Sequence, residues 1–127
     1  MFIQIEATSD IPIYTQLANQ VIELIARGQL QGGDTLPSVR ALASDLSVNM
    51  HTVNKSYHEL EQKGIIRIVP KSGAIINPIV QYGMSRENRQ RIIERIRPIL
   101  AESLVLGMSL EEIEQLVSAT LSLLKED

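Results

Sequence analysis

The chain has 127 residues, enough for one ordinary domain or a small domain with an appendage, and its 44% apolar but only 3% aromatic content calls for an aliphatic core rather than base-stacking rings. It has no cysteine, which excludes a disulfide framework and a thiolate zinc site and suits a reducing cytoplasm; nor does any stretch approach the ~20 consecutive apolar residues of a membrane span. The net charge of −3 counts, taken as a whole, against a polyanionic partner, so the placement of the charges decides more than their sum.

In chain order, residues 2–5 are apolar-rich with two isoleucines two apart and read as a short strand. Asp10 followed by Pro12 predicts a helix start, with Asp10 near the cap and proline where its missing N–H costs nothing. Ile13, Leu17, Val21, Leu24 and Ile25 then recur at helical spacing up to Arg27, and Gly28 supplies the stop. Gln31-Gly32-Gly33-Asp34 is a turn. Leu36-Pro37-Ser38 restarts the chain, with Ser38 as cap of a short second helix from Val39 to about Leu46 whose apolar face is Val39, Leu42, Ala43 and Leu46.

Ser47-Val48-Asn49 forms the connection, Asn49 capping a third helix that runs to Lys63 and stops at Gly64. Its predicted buried stripe is Met50, Val53, Tyr57 and Leu60, opposite His51, Lys55, His58 and Gln62, with Thr52 and Asn54 flanking that polar face. Residues 65–69 and 74–76 are β-branched runs around Pro70-Lys71-Ser72-Gly73 and predict a hairpin. Short helices followed by a two-stranded ribbon are the order of a winged helix-turn-helix. Asn77-Pro78 closes it, because proline turns the preceding residue away from helix.

From about Ser85 two more helices are readable, split near Gly107-Met108-Ser109. The first carries Ile92, Ile93, Ile96, Ile99, Leu100 and Leu104, with Pro98 inside it and a kink expected there. The second opens with Ser109 and Glu112 at capping-box spacing and continues as Leu110, Ile113, Val117, Thr120 and Leu124, widened by Leu116 and Leu121. Two such helices cannot cover both apolar faces by themselves, which points to a homodimer formed through Ile96, Leu100, Leu104, Leu110, Ile113, Val117, Leu121 and Leu124, with packing against the first domain as the alternative. The fold class is therefore mainly α in an α+β arrangement: a winged helix-turn-helix domain over residues 1–78 and a two-helix dimerisation tail over residues 79–127.

Between Ser38 and Lys71 the bases Arg40, Lys55, Lys63, Arg67 and Lys71 outnumber the acids Asp45, Glu59 and Glu61, whereas acids prevail after Gln81. Other chemistries find little footing. His51 and His58 are about two turns apart, roughly 10 Å along a helix, and cannot share one metal ion. Gly28, Gly32 and Gly33 precede no Lys-Ser or Lys-Thr pair at phosphate-loop spacing. Glu111, Glu112 and Glu114 sit in a helix first turn, where acids complement the dipole rather than catalyse. Tyr57 belongs to the core, with a hydroxyl able to reach a phosphate. No catalytic residue, metal ligand or cofactor loop is assigned.

The run Leu36-Pro37-Ser38-Val39-Arg40-Ala41-Leu42-Ala43, continued by Val48-Asn49-Met50-His51-Thr52-Val53-Asn54-Lys55-Ser56-Tyr57 and Leu60-Glu61-Gln62-Lys63-Gly64, resembles the GntR family of bacterial transcription factors, as does Pro12-Ile13-Tyr14-Thr15-Gln16-Leu17 upstream. The two-helix tail is similar to the YtrA subfamily, in which the tail serves mainly for dimerisation. The resemblance implies a cytoplasmic DNA-binding regulator, most simply a repressor, that binds double-stranded DNA at a palindromic operator as a homodimer, without membrane attachment or cofactor. A small-molecule effector stays open, and the alternative function is a winged-helix protein-interaction module without DNA binding.

Position by position, the resemblance makes Arg40 a phosphate or base-edge contact and Asn49, His51, Thr52 and Asn54 contacts of the recognition helix, with Lys71 and Gly73 at the wing tip. Ser38 and Lys55 join the DNA-binding set, Lys55 as a phosphate neutraliser. Where the family commonly has arginine, this chain has Met50 and Asn54, so the arginine's base contact is not carried over.

Overall fold

The computed structural model describes residues 2–78 and 83–125, which belong to two compact units, one ending at residue 82 and the other beginning at Gly83. The domain boundary expected at 78/79 adjoins residues 79–82, which lie outside the described residues. In the first unit the order is α1 (Ile13–Ala26), β1 (Thr35–Leu36), α2 (Val39–Leu46), α3 (Met50–Gln62), β2 (Ile66–Val69) and β3 (Gly73–Ile76).

The core is aliphatic and is closed by the apolar faces of all six elements. Leu17, Ala18 and Val21 from α1 meet Val53, Tyr57 and Leu60 from α3, with Leu36, Leu42, Ala43, Ile66, Ala74 and Ile76 filling the rest. At about 1.5–3 kcal/mol for each fully buried Leu, Ile or Val side chain, this cluster is what holds three short helices together. Met50 is not part of it: it was expected in the buried stripe of α3 but, as the first residue of the helix, is 41% exposed and lines an open groove beside Val39 and Ile68.

Residues 2–5 form no strand. They lie beside α1 and are held by glutamine side chains instead of a sheet. Gln16 accepts from the Glu6 N–H (2.8 Å) and donates to the carbonyls of Glu6 (3.0 Å) and Ile11 (2.7 Å). One turn later Gln20 accepts from the Gln4 N–H (2.9 Å) and donates to the Gln4 carbonyl. Two amides four residues apart thus substitute for a partner strand and let Ile3 and Ile5 pack against the core. Asp10 does not cap α1 either: Pro12 occupies that position without a side-chain bond, its carbonyl accepting from Thr15 and Gln16.

The helix stops fall where expected. Gly28 and Gly64 have positive φ, and the N–H groups of Gln29 and Ile65 return to the carbonyls of Leu24 and Leu60. At the end of α2 the same left-handed residue is Ser47 (φ 56°), and Val48 donates to the Ala43 carbonyl at 3.0 Å, turning the chain directly into α3.

The wing is a three-stranded antiparallel sheet in the order β1-β3-β2, not the two-stranded ribbon expected. Thr35 pairs with Ile75 and Leu36 with Ala74, while Ile66–Val69 pairs with Gly73–Ile76 as a hairpin. Ser72 donates to the Val69 carbonyl across the tip at 3.0 Å, with Pro70 second and Lys71 third in the turn at φ 68°. Gly73 is buried at φ +109°, and a Cβ there would run into the Leu36 carbonyl oxygen and come within 2.8 Å of Pro37 C and 2.9 Å of Pro37 O.

In the second unit α4 (Arg86–Val105) is capped by Ser85, whose Oγ accepts from the Asn88 N–H at 3.0 Å, and it continues through Pro98 as one helix. Next, α5 (Leu110–Lys125) opens with the expected reciprocal capping box: Ser109 N–H donates to Glu112 Oε1 (3.0 Å) and Glu112 N–H to Ser109 Oγ (3.1 Å). The backbone bond, then the side-chain bond, holds the Glu112 carboxyl below the usual range. No described residue of either helix is buried. Ile96, Leu104, Leu110, Val117 and Leu121 are exposed, and Leu100, Ile113 and Leu124 are only half-covered.

Replacing Gly73 by alanine forces both a backbone clash and a strained φ, so Gly73→Ala should destabilise the first unit by roughly 2–4 kcal/mol. A urea melt followed by far-ultraviolet circular dichroism checks this; a midpoint within error of the wild type contradicts the packing described.

Candidate nucleic-acid interface

Three chain segments converge on one side of the first unit: the start of α2, the start of α3 and the tip of the hairpin. Between them lies an open groove of about 530 Å³. Of the nine residues expected to contact DNA, six line it: Ser38 and Arg40 from α2, His51 and Asn54 from α3, and Lys71 and Gly73 from the wing. No carboxylate does so, so the groove carries Arg40 and Lys71 without an opposing acid despite the acidic chain.

The two helix starts are built by their caps. Ser38 Oγ accepts from the Ala41 N–H at 3.1 Å and Asn49 Oδ1 from the His51 N–H at 2.7 Å. The Asn49 carbonyl oxygen is thus already engaged in capping, and its amide nitrogen is the group left to donate. Arg40, Asn49, His51 and Asn54 are exposed, and Thr52 is half-buried.

Lys55 lies outside the groove. Its Nζ sits 4.1 Å from the centre of the Tyr14 ring, so α1 holds this ammonium by a cation–π contact. Sequence reasoning missed Tyr14 as its partner, because the pairing joins two helices with no local pattern to announce it. Reasoning from sequence also missed the apolar lining of the groove, in which Val39, Met50, Ile68, Val69 and Pro70 take part. Gly73 lines it from a buried position that its packing against Leu36 and Pro37 requires.

Tyr57 fixes the mutual placement of α2 and α3. Its ring is wholly buried, and its hydroxyl, read from sequence as able to reach a phosphate, donates instead to the Pro37 carbonyl at 2.7 Å. Burial pushes its phenol well above the ordinary tyrosine range. Among the described residues no group of three His, Cys, Asp or Glu side chains could hold a metal ion, and no helix is long and apolar enough to cross a membrane.

A short-turn helix pair with capped starts, backed by a sheet whose hairpin tip flanks the second helix, defines a winged helix-turn-helix protein. Residues 13–76 match the family described as "Bacterial regulatory proteins, gntR family". The HTH-type transcriptional repressor YtrA of Bacillus subtilis is 34% identical over 113 residues, 89% of this chain and 87% of that protein. YtrA from Sulfolobus acidocaldarius, a GntR-family transcription factor of solved structure, is 44% identical with a TM-score of 0.61, over 80% of this chain and 99% of that one. The crystal structure of a transcriptional antiterminator from Listeria monocytogenes EGD-e is 28% identical with a TM-score of 0.92, over 100% of this chain and 95% of that one. The chain belongs to the GntR family, and it is a helix-turn-helix transcriptional regulator.

Tyr57→Phe leaves the Pro37 carbonyl without its donor and should cost about 1–3 kcal/mol. Because the folded state holds the phenol protonated while the unfolded one ionises near pH 10, wild-type stability should fall as pH rises through about 10. The variant should fall less steeply. Thermal melts of both proteins between pH 8 and 11 measure the two slopes; parallel slopes contradict the buried phenol.

Proposed function

We propose that the protein is a repressor that binds a palindromic operator as a homodimer, each subunit presenting α3 to a major groove and its hairpin to the flanking DNA. The carrying observation is the acid-free groove that gathers Arg40, His51, Asn54 and Lys71 between two helix starts and a wing. Arg40, Lys55 and Lys71 neutralise phosphates; Asn49, His51, Thr52 and Asn54 address base edges, with Ser38 beside Arg40. Residues 1–78 are the reading head and residues 79–127 the dimerisation tail, acting in the cytoplasm with no catalytic step. The Bacillus subtilis relative bears the name of a repressor and is matched over 89% of this chain, which supports the repressor reading.

A Lys71 in the left-handed region is conformationally costly, about 1 kcal/mol or more, at a place where glycine costs nothing. A strained cation at an exposed tip fits a role in contact rather than in folding. The decisive experiment measures fluorescence anisotropy with the DNA upstream of the protein's own gene and with random duplex, over a series of salt concentrations. Preference for the upstream DNA and a steep loss of affinity with salt are expected; equal weak binding to both overturns the proposal. Lys71→Gly should leave or raise the melting temperature while weakening binding and making the salt slope shallower by about one phosphate, roughly 0.9 in log K against log salt. A variant that binds as wild type removes Lys71 from the interface.

The second copy is the proposed cover of the tail, since a helical hairpin with no buried residue exposes more apolar surface than a stable isolated unit carries. Val117→Glu places a carboxylate in the middle of the α5 stripe. Sedimentation should show dimers for the wild type and monomers for this variant, whose operator affinity should drop at least about tenfold through loss of the linked second head. Monomeric wild type contradicts the assignment.

A further inference from the structure

We infer that Met50 is a specificity-determining residue that reads the C5-methyl group of thymine. This rests on the DNA-binding reading above and adds a base preference to it. The periodicity of α3 places position 50 in line with Val53, Tyr57 and Leu60, yet those three are 0% exposed and Met50 is 41% exposed. Its chain lines the groove between α3 and the wing, not the core.

The groove has two kinds of wall. Arg40, His51, Asn54 and Lys71 supply polar groups, whereas the half-covered Val39, Ile68 and Val69 form an apolar side with the exposed Met50. Water does not favour such a surface, and in the folded unit nothing covers it completely. The major-groove edges of the four bases present hydrogen-bonding groups and one apolar feature, the thymine methyl. The start of a recognition helix is the part that comes against base edges, and Met50 is the first residue of α3. Its unbranched, polarizable side chain can adapt to a methyl without demanding one fixed approach. His51 and Asn54, on the same side of the helix start, are placed to address polar edges next to that thymine. The competing occupant of the apolar wall is a deoxyribose of the backbone, which carries no base information.

The test begins by selecting bound sequences from a random duplex pool with the full-length protein. In the enriched site each recurrent thymine is then replaced by deoxyuridine, which removes only the methyl. For wild type and Met50→Leu, replacement at one position of each half-site should weaken binding about fourfold per methyl removed. For Met50→Ala the same replacement should have no effect, and this variant on thymine DNA should bind like wild type on deoxyuridine DNA. Because Met50 lies outside the core, Met50→Ala should keep the wild-type melting temperature, so a change in affinity is not a folding defect. Equal deoxyuridine effects in wild type and Met50→Ala, or none at any thymine, overturn the inference while leaving the regulator intact. Failure of the selection to enrich any sequence overturns both.

Discussion

A single hydroxyl governs the arrangement of the reading face. Tyr57 is buried in an otherwise aliphatic core, where an unsatisfied phenol is costly, and the acceptor it finds is the carbonyl of Pro37. Pro37 directly precedes Ser38, the cap of α2, so one bond sets where α2 begins relative to α3. Gly73 presses on the same residue from the wing, close enough that no side chain fits between them. Pro37 is thus held from both sides, and Arg40, His51 and Lys71 stand on three segments keyed to one point. For a protein that must meet a duplex of fixed groove geometry, this rigidity contributes more than the ~1 kcal/mol of one hydrogen bond.

Much of this was legible in the sequence because helix ends carry local chemistry. Ser38, Asn49 and Ser109 cap where they were expected to, and Gly28, Gly64 and Gly107 sit at positive φ beyond the helices. What escaped depends on distant partners. Strand β1 has only two residues, and its existence rests on Ala74 and Ile75, nearly forty positions away. Residues 2–5 alternate like a strand but are held by the amides of Gln16 and Gln20, which no strand pattern encodes. Asp10 had the right chemistry for a cap but lies two residues before Pro12, which takes that place. Met50 obeys the helical period and is still exposed, because periodicity assigns a face and cannot say how far along the helix that face is covered.

The acidic chain and the polyanionic partner are reconciled by what the acids do. Within the reading head, Glu61 accepts from the Ile68 N–H at 2.8 Å and fastens α3 to β2, while Glu59 pairs with Lys63 at 3.9 Å. Both lie in the second half of α3, away from its groove-lining start. The cations of the proposed contact set are better placed than their number suggests. Lys55 stands over the Tyr14 ring, and in the proposed contact a side chain already so placed would lose less entropy on meeting a phosphate.

In the proposed interface a single head has limited purchase on DNA, since three phosphate contacts would release few counterions and support correspondingly weak binding. Joining two heads makes the second encounter intramolecular, at an effective concentration that reaches millimolar for short linkages. The proposed tail therefore contributes to recognition without touching DNA. No described residue of its two helices is buried in one chain, so under that proposal a second copy would supply the cover for their apolar surface. In the proposed dimer, assembly and operator affinity would form one linked equilibrium, with occupancy depending on protein concentration more steeply than a preassembled dimer allows. A modest basic patch suits that linkage: a head binding tightly alone would occupy DNA nonspecifically before its partner arrived.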